Sequence, residues 1–506
     1  MAPCVSPVVG SASAVTGTAA PDEDVPTGPV SRRSAAVVAA VVATLVLGVA
    51  AFAGFVLRQA LAGPPLLWND SRSYQAVAAE PLWSTAFWAG HRPPLVPLVM
   101  RLVGASTGFV VAQAVVFVLA WSVLAWTVGT LVPTGWRRAG AVLVVLAFAS
   151  AAPVDLWNRS VLSESLAMST LALVVAAMLR VAQEVTWPRV AVAVAAAVAF
   201  AAVRDAQIGT VLALTAAVGA VAVVRARRGR PDGARLAALA VVLVGVVAVT
   251  GWGAAAGHRA EESVADVFYV RVFPYPDRVA WFAAHGMPQS SGVDALAQAI
   301  PAPPAGAAKV VGIGPHDPAF AALDRWMATR AAPVYAEWLL THPAYLVTEP
   351  LVRPERTFNA AGGDLLFYGP TRHPDTSPLG RVLWPGAGWL IVLAGVAGLL
   401  AIRTRRWQWP TWRAAAGVAV IGGLAMVAAW HGDGQEVTRH TVEGFAGLRL
   451  GLWILVVLGA LGGPPEPGVS GPPAGAAADM TDRVAVGTRA DSLARLPGRD
   501  GAGGGK

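Results

Sequence analysis

The chain carries a single cysteine, Cys4, and only two lysines, Lys309 and Lys506, among 506 residues. One cysteine excludes both a disulfide framework and a cysteine-built metal centre. Charge is scarce too: 13% of residues are Asp, Glu, Lys or Arg, against about 25% in soluble domains. That is too little to cover several soluble domains, and a single soluble core stops growing near ~250–300 residues. Neither a G-x-x-x-x-G-K-[ST] phosphate loop nor a G-x-S-x-G nucleophile elbow occurs, which argues against a nucleotide-fuelled pump.

What is present is largely apolar, with 55% hydrophobic residues. The composition reads as an all-α polytopic membrane protein. Apolar runs lie near 34–57, 109–132, 138–153, 162–181, 187–203, 206–224, 235–256, 384–402, 413–430 and 443–461, about ten transmembrane helices. Those near 138–153 and 187–203 fall short of the ~20 residues a crossing helix needs. The first run is too long, and begins too late, for a signal-peptide core, so it reads as an uncleaved span. Residues 1–33, rich in Ser, Ala, Pro and Thr, and 462–506, rich in Gly, Pro and Ala, read as disordered tails. Between them the chain divides into a seven-helix module at 34–256, a segment of mixed structure at 257–383 between helices 7 and 8, and a three-helix module at 384–461.

The formal charge of +8 would suggest a nucleic-acid partner in a soluble protein; here it reads as topology and implies none. Arg32-Arg33, Arg137-Arg138, Arg189, the group Arg225/Arg227/Arg228/Arg230 and Arg403/Arg405/Arg406 all fall on one side if ten spans alternate. Short basic loops mark the cytoplasmic face, which puts both termini in the cytoplasm of a cell inner (plasma) membrane and 257–383 outside. The alternation also sends all eight histidines, with Asp70, Asp155, Glu164, Arg204, Asp205, Glu436 and Arg439, to the outer side. Ionisable groups at membrane depth are costly and point to function, so the active face is extracytoplasmic. Nucleotide-sugar donors, which are cytoplasmic, would be on the wrong side.

Four places on that face can carry chemistry. The first outer loop, 58–108, holds Asp70-Ser-Arg-Ser-Tyr74 and then His91-Arg92-Pro-Pro-Leu-Val-Pro97. Asp70, about thirteen residues past the first span, can act as a general base on a hydroxyl or cap a short helix beginning at Ser71. Arg92 can fork onto a phosphate or anchor at headgroups, and the apolar stretch 94–104 suits a re-entrant or surface helix. Glu164, between two serines, starts a helix where the dipole favours a carboxylate. Arg204-Asp205 sits at the tip of a helical hairpin, either neutralising itself or offering Arg204 to an anion. In the last outer loop Glu436, Arg439 and His440 share one helical face. Anion binding suits Arg439 and His440 better than a metal site of His431, Asp433 and His440, which lacks a recognised ligand spacing. The two Asn-x-Ser sequons, at Asn69 and Asn158, read as chance.

Together these motifs resemble the GT-C superfamily of membrane glycosyltransferases that use polyprenyl-phosphate sugars, in particular the mannosyl- and arabinosyltransferase-like proteins of bacteria with complex envelopes. The resemblance covers about 35–461. It rests on Asp70-Ser-Arg-Ser-Tyr74 and Arg92-Pro-Pro-Leu-Val-Pro97, supported by Ser163-Glu164-Ser165 and Glu436-Val-Thr-Arg439-His440. It implies seven helices followed by a variable module. It also implies inverting transfer of a sugar, on the outer face, from a lipid phosphate to an envelope glycan, lipid or protein. By analogy Asp70 is the catalytic acid of the first loop. Tyr74, His91, Arg92, Glu164, Arg204, Glu436, Arg439 and His440 are the candidates for holding donor and substrate. Many members set a second carboxylate beside that acid, whereas Asp70 is followed by Ser71 and the next acid is Glu80. Any need for a divalent cation is thereby left open. A polytopic transporter or lipid flippase is the alternative, predicting polar groups at mid-membrane and on both faces; a scaffold presenting 257–383 is a third.

Overall fold

The computed structural model describes residues 32–133, 135–291, 293–294, 320–352, 378–432, 434 and 437–462, and these are helical with no strand among them. The expected tails, 1–33 and 462–506, lie outside the described residues except for Arg32 and Arg33, which open the first helix, and Gly462. His316, His373, Asp433 and Glu436 lie outside them as well.

Ten apolar helices stand where the ten apolar runs lie. They are α1 (Arg32–Ala60), α5 (Thr107–Thr130), α6 (Trp136–Ala149), α8 (Glu164–Gln183), α9 (Trp187–Ala201), α10 (Ala206–Arg227), α11 (Asp232–Ala256), α18 (Ala387–Thr404), α19 (Pro410–Gly432) and α21 (Val442–Leu461). Eight are long and apolar enough to cross a membrane, which makes the chain a multi-pass membrane protein. The two short ones are those the sequence marks: α9, and α6, which is bent by 64° from the helical turns that follow it, α7 (Ala152–Asp155) and Leu156–Arg159. Exposed apolar side chains such as Leu47, Val241, Ile391 and Ile402 form the surface that lipid covers. Exposed tryptophans stand near helix ends, Trp136, Trp187 and Trp407 at one end of the bundle and Trp83, Trp252 and Trp389 at the other, as the two interfaces of a bilayer favour.

α8 and α21 are the innermost helices and α1 is the most peripheral. α19 and α21 meet through small residues: a methyl on Gly444 would stand 2.7 Å from the Met426 backbone nitrogen, and one on Gly451 2.5 Å from that of Ala419. This is the close backbone approach that small residues permit between membrane helices.

On the end of the bundle where α8, α10 and α21 begin lie shorter helices: α2 (Asn69–Ala79), α3 (Thr85–Trp88), α4 (Leu95–Val103), α12 (Arg259–Arg271), α13 (Pro276–Ala284), α14 (Ala321–Trp326), α15 (Ala332–Thr341), α16 (Pro343–Val352), α17 (Pro378–Leu383) and α20 (Val437–His440). The mixed structure expected for 257–383 is corrected by α12 to α17, because the described part is helical. It has its own aromatic core around Phe268, Phe282, Trp326 and Trp338, and it joins the bundle where Tyr335 Oη meets His431 Nδ1 at 3.2 Å.

Candidate functional site

The site is assembled by loops stitched to one another before any charged group meets its partner. Leu66 donates its backbone N–H to Arg159 O and accepts from Val161, the one bridge between extended segments among the described residues. Just beyond, α2 begins. Its first turn is closed by Ser71, whose Oγ accepts from Trp68 N–H (2.9 Å) and donates to Val161 O (2.7 Å). The helix thus starts at Asn69, and Asp70 lies inside its first turn instead of capping it. This leaves the carboxylate free to point away, where the helix N-terminus still favours its charge. The 155–161 turn pinned to α2 leads directly into Glu164. Asn158 within it is buried and accepts from Ser165 Oγ at 2.6 Å, so that sequon is inaccessible.

Asp70 is gripped from two sides: Arg92 Nη2 meets Oδ1 and Arg439 Nη2 meets Oδ2, each at 2.7 Å. Arg92 is oriented by donating Nε–H to Ser73 Oγ (2.7 Å), and its guanidinium lies 5.2 Å from the ring centre of buried Tyr74. Arg439 continues inward, donating Nε–H to Glu164 Oε1. Glu164 Oε1 is also 3.5 Å from Arg204 Nη1, and the same nitrogen meets Glu443 Oε1 at 2.5 Å. The result is a chain of alternating charge, Arg92–Asp70–Arg439–Glu164–Arg204–Glu443, running from a half-buried end to fully buried groups. Partly buried pairs of this kind persist only when each charge is compensated. One acceptor is left over: Glu164 Oε2 is buried and accepts no hydrogen bond among the described residues.

Burial alone would raise the Asp70 carboxyl, but Arg439 and then Arg92 outweigh it and hold it below its ordinary value. Burial pushes the Tyr74 phenol up, so it stays a neutral donor.

Six of the nine site residues named from sequence meet here: Asp70, Tyr74, Arg92, Glu164, Arg204 and Arg439. His440 stands half-buried and close enough to act on Asp70 through its charge. His91 is exposed and takes no part in the chain of charges. Glu436 lies outside the described residues. Of the two readings of Arg204-Asp205, self-neutralisation is overturned: Arg204 turns to Glu443 and Glu164, and Asp205 pairs with Arg259 at 3.0 Å. His431 is no metal ligand in waiting, since Tyr335 and Leu346 O occupy its two nitrogens. Among the described residues no group of three or more His, Cys, Asp or Glu side chains could hold a metal ion.

Glu443 was missed. It opens the last apolar run, and the rule that singled out Glu164, a carboxylate at the start of a membrane helix, applies to it equally.

The chain of charges ends on a cavity. About 900 Å³ in volume, it lies between α8, α10 and α19, with Glu443 and Gln207 at one end and Arg225, Arg228, Arg230 and Arg413 at the other. From Gln207 to Arg225 along α10 is roughly 27 Å at 1.5 Å per residue, close to the thickness of a bilayer core. Between those ends the lining is apolar, with Val211, Leu214, Val218, Val418 and Ile421 among it.

No protein-family model matches the chain, and neither a curated protein nor a solved structure matches it.

Proposed function

We propose that the protein is a membrane glycosyltransferase of the GT-C type, taking a sugar from a polyprenyl-phosphate donor and passing it to an envelope glycan, lipid or protein on the extracytoplasmic face. The observation that carries this reading is the junction of the ion-pair chain with the apolar cavity. A lipid-phosphate sugar is a long apolar tail, one anion and a polyhydroxylated ring, in that order. The junction offers an apolar slot, then an arginine, then the unpartnered Glu164 Oε2 with the Tyr74 phenol near it, then the half-buried Asp70 carboxylate, in the same order.

The isoprenoid tail lies along α10 and α19, and Arg204 receives the phosphate. The sugar sits where Glu164 Oε2 accepts from a hydroxyl and Tyr74 donates to one. The acceptor hydroxyl approaches Asp70 and attacks the anomeric carbon in line. The carbon–oxygen bond to the lipid phosphate breaks as the new glycosidic bond forms, with inversion and no covalent enzyme intermediate. The lipid phosphate leaves with the bonding electrons and is stabilised by preorganised guanidinium charge. Asp70 takes the hydroxyl proton. A carboxylate held below its ordinary value is a weak base, so it takes the proton late, once bond formation has acidified the hydroxyl.

The cavity also bears on the flippase alternative. Moving a phosphate across needs polar groups along the path, and the lining between Thr210 and Arg225 contributes no charged side chain.

The direct test is transfer of radiolabelled sugar from polyprenyl-phosphate donors in membranes carrying wild-type or Asp70→Asn protein. The reading expects transfer by the wild type and its near loss in the variant. Equal transfer by both removes Asp70 as base, and transfer by neither, from any donor tried, removes the glycosyltransferase reading.

A further inference from the structure

The chain Arg92–Asp70–Arg439–Glu164–Arg204–Glu443 is electrically neutral as it stands, three guanidinium groups against three carboxylates. An anion entering it brings one uncompensated negative charge to a buried place, which is unfavourable unless a positive charge arrives with it. A proton taken up by one carboxylate restores neutrality.

The three carboxylates are not equivalent. Asp70 lies between Arg92 and Arg439, and Glu164 between Arg439 and Arg204, whereas Glu443 touches Arg204 alone. Glu443 is also the carboxylate that lines the apolar cavity. The charged groups acting on it are Arg204, from the turn before α10, and Glu164, from α8. Around it α10 brings Gln207, and α19 brings Gly422 and Ala425. Of the other charged and titratable groups on these helices, His440 stands three residues before it at the end of α20 and Arg449 six residues on within α21, where it donates to Pro385 O; Arg225 and Arg227 on α10, Arg137 and Arg138 on α6, Arg180 on α8, Arg403 on α18 and Arg413 on α19 stand toward the far ends of their helices. Further off, His431 of α19 is engaged by Tyr335 and Leu346, and Arg439 of α20 by Asp70 and Glu164. An anion whose tail fills the cavity reaches Arg204 by way of Glu443. Once displaced, Glu443 faces an apolar wall with no other cation in contact.

We propose that Glu443 holds the place of a lipid phosphodiester on Arg204 in the empty protein, and that the lipid displaces it with uptake of one proton by the Glu443 carboxylate. The balance is one anion and one proton in, with no net charge added to the site. Donor binding is then proton-linked, and Glu443 is a positioning residue that keeps Arg204 aimed at the cavity until a lipid phosphate arrives. This rests on the lipid-phosphate reading above.

The experiment is titration calorimetry of the purified full-length protein in detergent. The probe is methyl dodecyl phosphodiester, whose single charge does not titrate near neutral pH, and it is run in two buffers of different ionisation heat and across a pH series. The proposal expects about one proton taken up per probe bound, and a Kd that weakens about tenfold per pH unit toward the alkaline side. Glu443→Gln binds the probe without uptake and with a flat Kd, and Arg204→Gln loses binding. Wild-type binding without uptake, a flat wild-type Kd, uptake retained in Glu443→Gln, or no binding by the folded wild type each overturns the proposal. Should Glu443→Gln not fold, the wild-type slope decides alone. Because the probe carries no sugar, the two readings separate: proton-linked binding without sugar transfer sinks the glycosyltransferase reading only. Transfer activity alongside a flat, uptake-free titration sinks this proposal only.

Discussion

At one end of the bundle Arg406, Arg235 and Arg189 reach the carbonyls around helix ends, and at the other Arg92, Arg204 and Arg439 are strung between carboxylates. Arg406 donates to the carbonyl oxygens of Leu458, Gly459 and Gly462 at the end of α21, Arg235 donates to Val185 O, and Arg189 to Arg180 O and Glu184 O. These are the orphan carbonyls of helix C-termini, which a cation satisfies both by hydrogen bond and through the helix dipole. Arg92, Arg204 and Arg439 instead turn to acidic side chains brought from α2, α8 and α21. An arginine bonded to carbonyls of a neighbouring helix end has no ligand to exchange. One bonded to a carboxylate holds an anion already and can trade it for another. The arginine-rich end has carboxylate pairs too, Arg189 with Glu184 and Arg225 with Asp232, but each is partly exposed and stands alone, whereas the three arginines of the other end share their carboxylates in one chain that runs into the buried interior.

The largest expected effect breaks the carboxylate end at its outermost acid. Asp70→Asn should lower the transfer rate by ~10²–10⁴-fold with a smaller loss of stability, since it leaves Arg439 paired with Glu164; single-turnover assays alongside thermal unfolding separate the two. Next, Arg439→Met removes the one guanidinium shared by Asp70 and Glu164. It should cost about 3–5 kcal/mol, as breaking a buried pair does, and a melting temperature within a degree of wild type would refute the shared role. At the opposite end Arg406→Ala should cost about 1.5–3 kcal/mol of stability and leave the transfer rate per folded molecule unchanged; a rate loss there would erase the contrast between the ends.

A pH titration sharpens the same comparison. Asp70 is held below its unfolded value of 3.8, so its ion pairs contribute fully above about pH 4 and are lost only as pH falls through the lower folded value. Infrared difference spectra, with Asp70→Asn as reference, should place its protonation below 3.8, and Arg92→Gln should move it upward. The smallest effect belongs to Arg228→Ala, an exposed position at the arginine-rich end, where stability should stay within about 0.5 kcal/mol.

The spans were legible because apolar runs and basic loops are properties of local sequence; even the two short helices, α6 and α9, could be marked in advance. Asp70, Glu164, Arg204 and Arg439 were legible because a charge in or beside an apolar run needs a reason. Their pairing was not. Arg204 and Glu443 lie 239 residues apart, and nothing local distinguishes that match from the adjacent Asp205, which a neighbour-by-neighbour reading prefers. Arg449 is another silent case: fully buried inside α21, it donates to Pro385 O at 2.7 Å and to the ring of Trp384, partners that only the packing of α17 and α18 supplies. The helices described within 257–383 were not legible, because none is a long apolar run: they are short and gain their core only by packing Phe268, Phe282, Trp326 and Trp338 together.

The seam between α19 and α21 has a consequence for tolerance to change. With Gly422, Gly444 and Gly451 pressed against backbone, neither helix can slide or part without losing that contact across most of its length. The wall that carries Glu443 is therefore stiff, which leaves any widening of the cavity to the other helices that line it, α8 and α10. A saturation screen should show this as a line of intolerance: three positions with no chemistry, where the smallest available side chain, alanine, is already too large.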